Sequence, residues 1–143
     1  MQVVAPTIVA EAPVAPVKPA VPDINEQAAQ LLDAAAKHLE EKGWTQGWGY
    51  RGGRTCIIGA MQEVLFVARG WDYDLGQNFT DGRFNGDPVA RKAFEALRFN
   101  RTDAAILWND SLSASRGDRT VIKRLREGAD RLRGIIDSAT WTG

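Results

Sequence analysis

The sequence predicts a mainly α fold: a compact bundle of about four helices, interrupted by a short glycine-rich hairpin or loop and preceded by a disordered leader rich in proline, alanine and valine. Three observations carry this. Apolar residues recur at helical spacing in several long stretches bounded by cap signals. No alternating run of sheet length occurs. Five of the six prolines fall within the first 22 residues, where they fix φ, remove donors and leave the chain extended. The chain therefore divides into a leader, 1–22, and a single helical domain, 23–143. A signal peptide is the obvious rival for the leader, but Pro6, Glu11, Pro13 and Pro16 break its apolar run.

The elements follow in order. Asp23, with Glu26 three residues later, forms a capping-box-like start, and Ala28, Leu31, Leu32, Ala35 and Leu39 make the apolar stripe that follows. Lys42-Gly43 supplies a basic last turn and a glycine stop. Gln46 to Thr55, centred on Arg51-Gly52-Gly53-Arg54, reads as a hairpin or irregular loop. A second helix from about Thr55 to Arg69 carries Cys56, Ile57, Ala60, Met61, Val64, Val67 and Ala68 on one side, widened by Ile58 and Leu65. Gly70 to Gly86 is a long acidic connection. Asp87-Pro88 starts a helix, because proline in the first turn forfeits no helical hydrogen bond. A brief helix or strand spans Asp103 to Trp108, and Asn109-Asp110 reads as an Asx-type turn. The last helix, about Asp118 to Ile136, has the cleanest stripe: Val121, Ile122, Leu125, Ala129, Leu132, Ile135 and Ile136. The tripeptide Arg116-Gly117-Asp118, familiar from adhesion ligands, reads as the N-terminal cap of that helix.

Composition narrows the function classes. The 143 residues are 44% apolar and 25% charged, ordinary for a soluble domain. Eighteen basic residues balance eighteen acidic ones, so no global field draws the chain to nucleic acid or acidic lipid. No apolar run approaches the roughly 20 residues of a membrane span. Cys56 is the single cysteine, which excludes an intramolecular disulfide and a cysteine-based zinc cluster and fits a reducing cytoplasm. Asp72-x-Asp74 resembles the opening of a calcium loop, but Gly76 comes one place early and Arg83 stands where the bidentate glutamate belongs. Neither a metal nor a cofactor is expected.

Three sets of residues are candidates for function. Cys56 opens a helix after a loop, a position that lowers a thiol pKa. A nucleophilic thiol also needs a base; His38 is the only histidine, with Asn109 or Asp110 available to orient it. The alternative is a structural Cys56, packed as a small hydrophobe on the apolar side of its helix. From Ser113 to Arg133 seven basic residues face three acidic ones. Arg119, Lys123, Arg124, Arg126 and Arg131 are the nucleic-acid candidates, although their charges spread around the helix rather than forming one row. Arg51 and Arg54 would join such a patch if they folded nearby. Finally, Trp44, Trp48, Trp108, Asn109 and Asp110, with Arg51 and Arg54, are candidates for a binding surface; the competing role for the tryptophans is closing a small core.

Gly43-Trp44-Thr45-Gln46-Gly47, Arg54-x-Cys56-Ile57-Ile58-Gly59-Ala60, Trp108-Asn109-Asp110 and the closing Val121-Ile122-Lys123-Arg124-Leu125-Arg126 together resemble a family of small uncharacterised proteins of actinobacteria and their phages, mycobacteriophages included. The resemblance spans roughly residues 25 to 136. It implies a phage or actinobacterial origin and a cytoplasmic setting, and it brings no established activity or catalytic residues. The first expectation is a non-enzymatic accessory protein that binds a host or phage macromolecule, a protein partner before a nucleic acid. A small cysteine-dependent enzyme using Cys56 and His38 is the second, and a nucleic-acid-binding module using the basic C-terminal helix the third.

Overall fold

A computed structural model describes residues 21–47, 50–72 and 82–137. The expected helix start is where the sequence places it. Asp23 caps α1 (Ile24–Lys42), its carboxylate accepting the Glu26 N–H at 2.8 Å. The Glu26 carboxylate does not complete a capping box; it turns to Arg133, just past the end of the last helix. Gly43, with φ of +99°, stops the helix and donates its N–H to the Leu39 carbonyl. Besides the expected stripe, Ala29 and Ala36 are buried, so the apolar arc is wide enough for α1 to pack against three other helices.

The glycine-rich segment is a hairpin. β1 (Tyr50–Arg51) and β2 (Arg54–Thr55) pair antiparallel, Tyr50 opposite Thr55 and Arg51 opposite Arg54. Gly52 and Gly53 both have positive φ, as a two-residue hairpin turn that matches strand twist requires. β2 is also bound on its other side, where Thr45 N–H donates to the Thr55 carbonyl and Thr55 N–H to that of Gly43. The hairpin is thus tied to the exit of α1.

α2 (Ile57–Arg69) follows at once, with Ile57, Ile58, Ala60, Met61, Leu65 and Phe66 in the core. Its stripe ends sooner than expected. Val67 is 67% exposed and Ala68 is exposed too, while Leu65 and Phe66 of the same turn are buried on the opposite side. Of the Gly70–Gly86 connection, residues 73–81, and with them Asp74 and Gly76, lie outside the described residues; the remainder includes the short helix α3 (Gly82–Gly86), which sends Phe84 into the core. α4 (Pro88–Leu97) begins as expected, Asp87 accepting from the N–H groups of Val89 and Ala90.

Six helices therefore appear among the described residues rather than about four, the additions being α3 and α5 (Thr102–Ser111). The Asp103–Trp108 stretch is helical and runs on through Asn109 and Asp110, so those two residues occupy a last helical turn and not an Asx turn. α6 (Gly117–Leu132) closes the chain against α1 and α4. Arg116, not Asp118, stands at its N-cap, and no side chain caps it. The helix ends four residues before Ile136: Gly134 turns with φ of +74°, leaving Ile135 66% exposed. Gly128 sets how closely α1, α4 and α6 approach, since a Cβ there would lie 2.8 Å from Leu32 Cδ1 and 3.0 Å from Leu97 Cδ2. No helix among the described residues is long and apolar enough to cross a membrane.

Candidate functional site

The polar-aromatic blocks meet in space. Asn109, fully buried at the end of α5, joins three segments. Its Oδ1 accepts from Trp44 Nε1 at 2.7 Å and from the Ile57 N–H at 3.1 Å; its Nδ2 donates to the Thr45 carbonyl and to Asp110 Oδ1, each at 3.2 Å. The amide orientation is dictated by its neighbours, because an indole N–H and a backbone N–H can only donate. Ile57 is the first residue of α2, so Asn109 also satisfies one of the orphan donors at that helix start. Gln46 serves the carbonyls at the same end of α5: its Nε2 lies 2.7 Å from the Leu112 carbonyl and 3.1 Å from that of Asp110. Asp110, exposed, accepts the Gly47 N–H at 2.7 Å. The Trp44 ring then covers Gly117, where a Cβ would overlap the indole and come within 2.9 Å of Leu112 Cβ. Gly117 of the adhesion-like tripeptide is consequently buried packing.

Cys56 lies inside this frame. It is 1% exposed and caps α2, its Sγ accepting the Gly59 N–H at 3.4 Å. Burial pushes the thiol up to about 11, outweighing the backbone N–H groups of Gly59 and Ile58 that favour the thiolate. His38 makes an ion-pair contact elsewhere, Nε2 at 2.9 Å from Glu63 Oε2 on α2, charged on both sides only when the imidazole is protonated. Among the described residues no hydrogen bond joins Cys56, His38 and Asp110 into a relay; each is engaged with a different partner.

The basic helix divides in two. Arg124 is 6% exposed; its Nε and Nη2 both donate to the Leu97 carbonyl, at 3.1 and 2.7 Å. Its guanidinium also sits 3.9 Å from the Phe99 ring centroid and 4.4 Å from that of Trp108. Burial, reinforced by the neighbouring Arg131 charge, lowers Arg124 to about 10, so it stays cationic at neutral pH. Arg131 is buried as well and donates to the Ala96 carbonyl at 2.6 Å. Two arginines of α6 thus cap the C-terminal carbonyls of α4, where the helix dipole favours cations. Arg126 pairs with Asp33 and Glu40 of α1. These three nucleic-acid candidates face the protein itself, whereas Arg119 and Lys123 remain exposed.

Of the other candidates, Trp108 is half-buried against Phe99, Arg51 and Arg54 are exposed on the hairpin, and Trp48 lies outside the described residues. An open cleft of about 370 Å³ runs between α4 and α5, lined by Arg91, Phe94, Glu95, Phe99, Arg101 and Thr102 among others. Several structural roles had no foothold in sequence. Gln46 and Gly117 are recognisable only once their partners, many residues away, are brought next to them; Arg69, bidentate on Asp87, is equally silent. Among the described residues no group of three or more histidine, cysteine, aspartate or glutamate residues is placed to hold a metal ion.

No curated protein and no solved structure matches the chain. A family of unknown function, DUF6197, matches residues 23–131, a span that opens at the Asp23 cap, ends at Arg131 on α4's carbonyls and contains the whole Trp44–Asn109 frame. The chain belongs to that family.

Proposed function

We propose that this protein is a non-enzymatic accessory protein that acts by binding a macromolecule. One observation carries the reading: the side chains with catalytic chemistry to offer are spent on internal ties. The Cys56 thiol is buried and protonated, Asn109 makes four hydrogen bonds within the frame, and His38 is held by Glu63. A frame of this kind fixes surfaces rather than exposing a nucleophile. The resemblance to phage and actinobacterial proteins adds to the proposal a phage-encoded origin, a partner belonging to host or phage, and a setting in the bacterial cytoplasm.

The test is alkylation of Cys56 by iodoacetamide from pH 5 to 11, with a urea-unfolded control. The binding reading expects protection in the folded protein, relieved by urea, with ionisation near 11. It also expects Cys56→Ser and His38→Gln to retain whatever macromolecule the tagged wild-type chain retains. Rapid alkylation of the folded chain, with a midpoint below the 9.0 of an unperturbed thiol, would select the cysteine enzyme instead.

A further inference from the structure

We propose that the end of the bundle formed by the β1–β2 hairpin and the first two turns of α6 binds the phosphate backbone of a nucleic acid. This inference rests on the binding reading above and names its partner class. It uses a different set of cations from the one that helical sequence alone suggests. With Arg124 and Arg131 buried on α4 and Arg126 paired with Asp33 and Glu40 of α1, the cations left exposed and unpaired at the start of α6 no longer spread around the helix. Arg119 and Lys123 stand at i and i+4 and share one outward ridge, with Arg116 exposed at the N-cap just before them.

The hairpin supplies the second half. Arg51 and Arg54 are exposed and directly opposite each other in the antiparallel register. Opposed residues of such a pair project from the same face about 5 Å apart, so two like charges there oppose folding and are relieved by an anion between them. The turn that joins them, Gly52-Gly53, has open space where a Cβ would stand, which lets a ligand backbone come close.

Packing brings the two halves to one end. The Arg54 stem lies against Gly43, whose Cβ position would fall 2.7 Å from Arg54 Cγ. The next residue, Trp44, lays its ring on Gly117 at the start of α6. Arg54, Gly43, Trp44 and Gly117 therefore form an unbroken series of contacts between the hairpin and Arg116. Lys42, exposed beside Gly43, adds a sixth cation.

Asp118 is the acid within the patch itself, and three others beside it are committed elsewhere. Glu40 pairs with Arg126, Glu41 with Lys37, and Asp110 accepts the Gly47 N–H. None of the six cations has a carboxylate within 4.0 Å among the described residues, whereas Arg69, Lys92, Arg101, Arg126 and Arg133 all do. Unpaired cations on two convex elements, a helix ridge and a hairpin tip, suit a repeating line of phosphates better than one small anion.

Fluorescence anisotropy of the full chain with fluorescein-labelled mixed-sequence DNA, a single strand and a duplex, tests this at 50–200 mM NaCl. The expected result is binding whose logarithmic salt dependence is steep, by about 0.9 per cation engaged on a duplex. Arg119→Glu/Lys123→Glu and Arg51→Glu/Arg54→Glu should each weaken binding at least about tenfold and flatten the salt slope by about two. Arg91→Glu, half the charge change of either patch variant and placed at the α4 cleft, should leave it within about twofold. Circular dichroism should show all variants folded, since none of these side chains is in the core. Equal losses from Arg91→Glu, or no loss from either patch variant, would overturn the assignment. Retention of an acidic polyglutamate peptide without DNA binding would overturn the nucleic-acid partner while leaving the binding reading intact. That reading fails separately, if folded Cys56 proves reactive.

Discussion

Asn109 shows how a single side chain can decide a fold's geometry. It is fully buried yet carries an amide, which is tolerable only because its oxygen and nitrogen both find partners within the protein. Asn109→Ala would orphan the Trp44 indole N–H, the Ile57 N–H and the Thr45 carbonyl together. Its expected cost is about 2–4 kcal/mol in urea unfolding. Trp44→Phe removes the indole donor and the ring atoms that cover Gly117, and the double variant should fall short of the sum of the two because the side chains share a bond. A midpoint for Asn109→Ala within about 0.5 kcal/mol of wild type would mean the three segments are held by packing alone. Cys56 contributes at this scale through pH. Its folded pKa, about 11, is above the unperturbed 9.0, so the folded state holds its proton more tightly. Stability is therefore unaffected below about pH 9 and falls by about 2–3 kcal/mol as pH rises through 11, a loss that Cys56→Ala should abolish.

At the level of elements, legibility followed the range of the signal. The starts of α1 and α4 could be read because Asp23 and Asp87-Pro88 act on groups two or three residues away. The hairpin was legible from Gly52-Gly53 for the same reason. Arg124 and Arg131 were not: a helical wheel counts arginine as polar, and the carbonyls they cap lie 27 and 35 residues earlier on α4. The same limit hid the role of Asn109, whose nearest local reading was a turn. Asp87 combines both ranges, since it caps α4 locally and receives a bidentate Arg69 from the end of α2. Burial alone would raise its pKa, but the Arg69 hydrogen bonds and the N–H groups of Ala90 and Val89 outweigh it and hold the carboxyl below its usual 3.8. Because the folded value is the lower one, the stabilisation is complete above about pH 4 and disappears as pH falls through the folded pKa. Asp87→Asn should lose stability at pH 7, and its unfolding should be flatter than that of wild type between pH 4 and 2. A wild-type profile no steeper than that of the variant would show that the pair contributes nothing.

Across the whole molecule, the first and last helices hold each other. α1 packs against α2, α4 and α6, while Arg126 and Arg133 of the final segment reach Asp33, Glu40 and Glu26 on α1. Contacts between the two ends of the domain make it a single cooperative unit, because α1 cannot keep Leu32 and Ala36 buried without α6 and α4. The N-terminal end of the described residues is held by specific contacts. There Asp23 caps α1 and Gln27 Nε2 donates to the Pro22 carbonyl at 2.8 Å, and Ala28 is the first buried core residue among those described. Deleting residues 1–20 keeps both interactions and should leave the thermal midpoint within about 1 °C of the full chain. Deleting three more residues removes the Asp23 cap and should cost about 1 kcal/mol, a drop of several degrees for a domain of this size. A fall of that size from the shorter deletion alone would mean that the leader packs against the bundle, and the domain would then have to be drawn from its first residues rather than from Asp23.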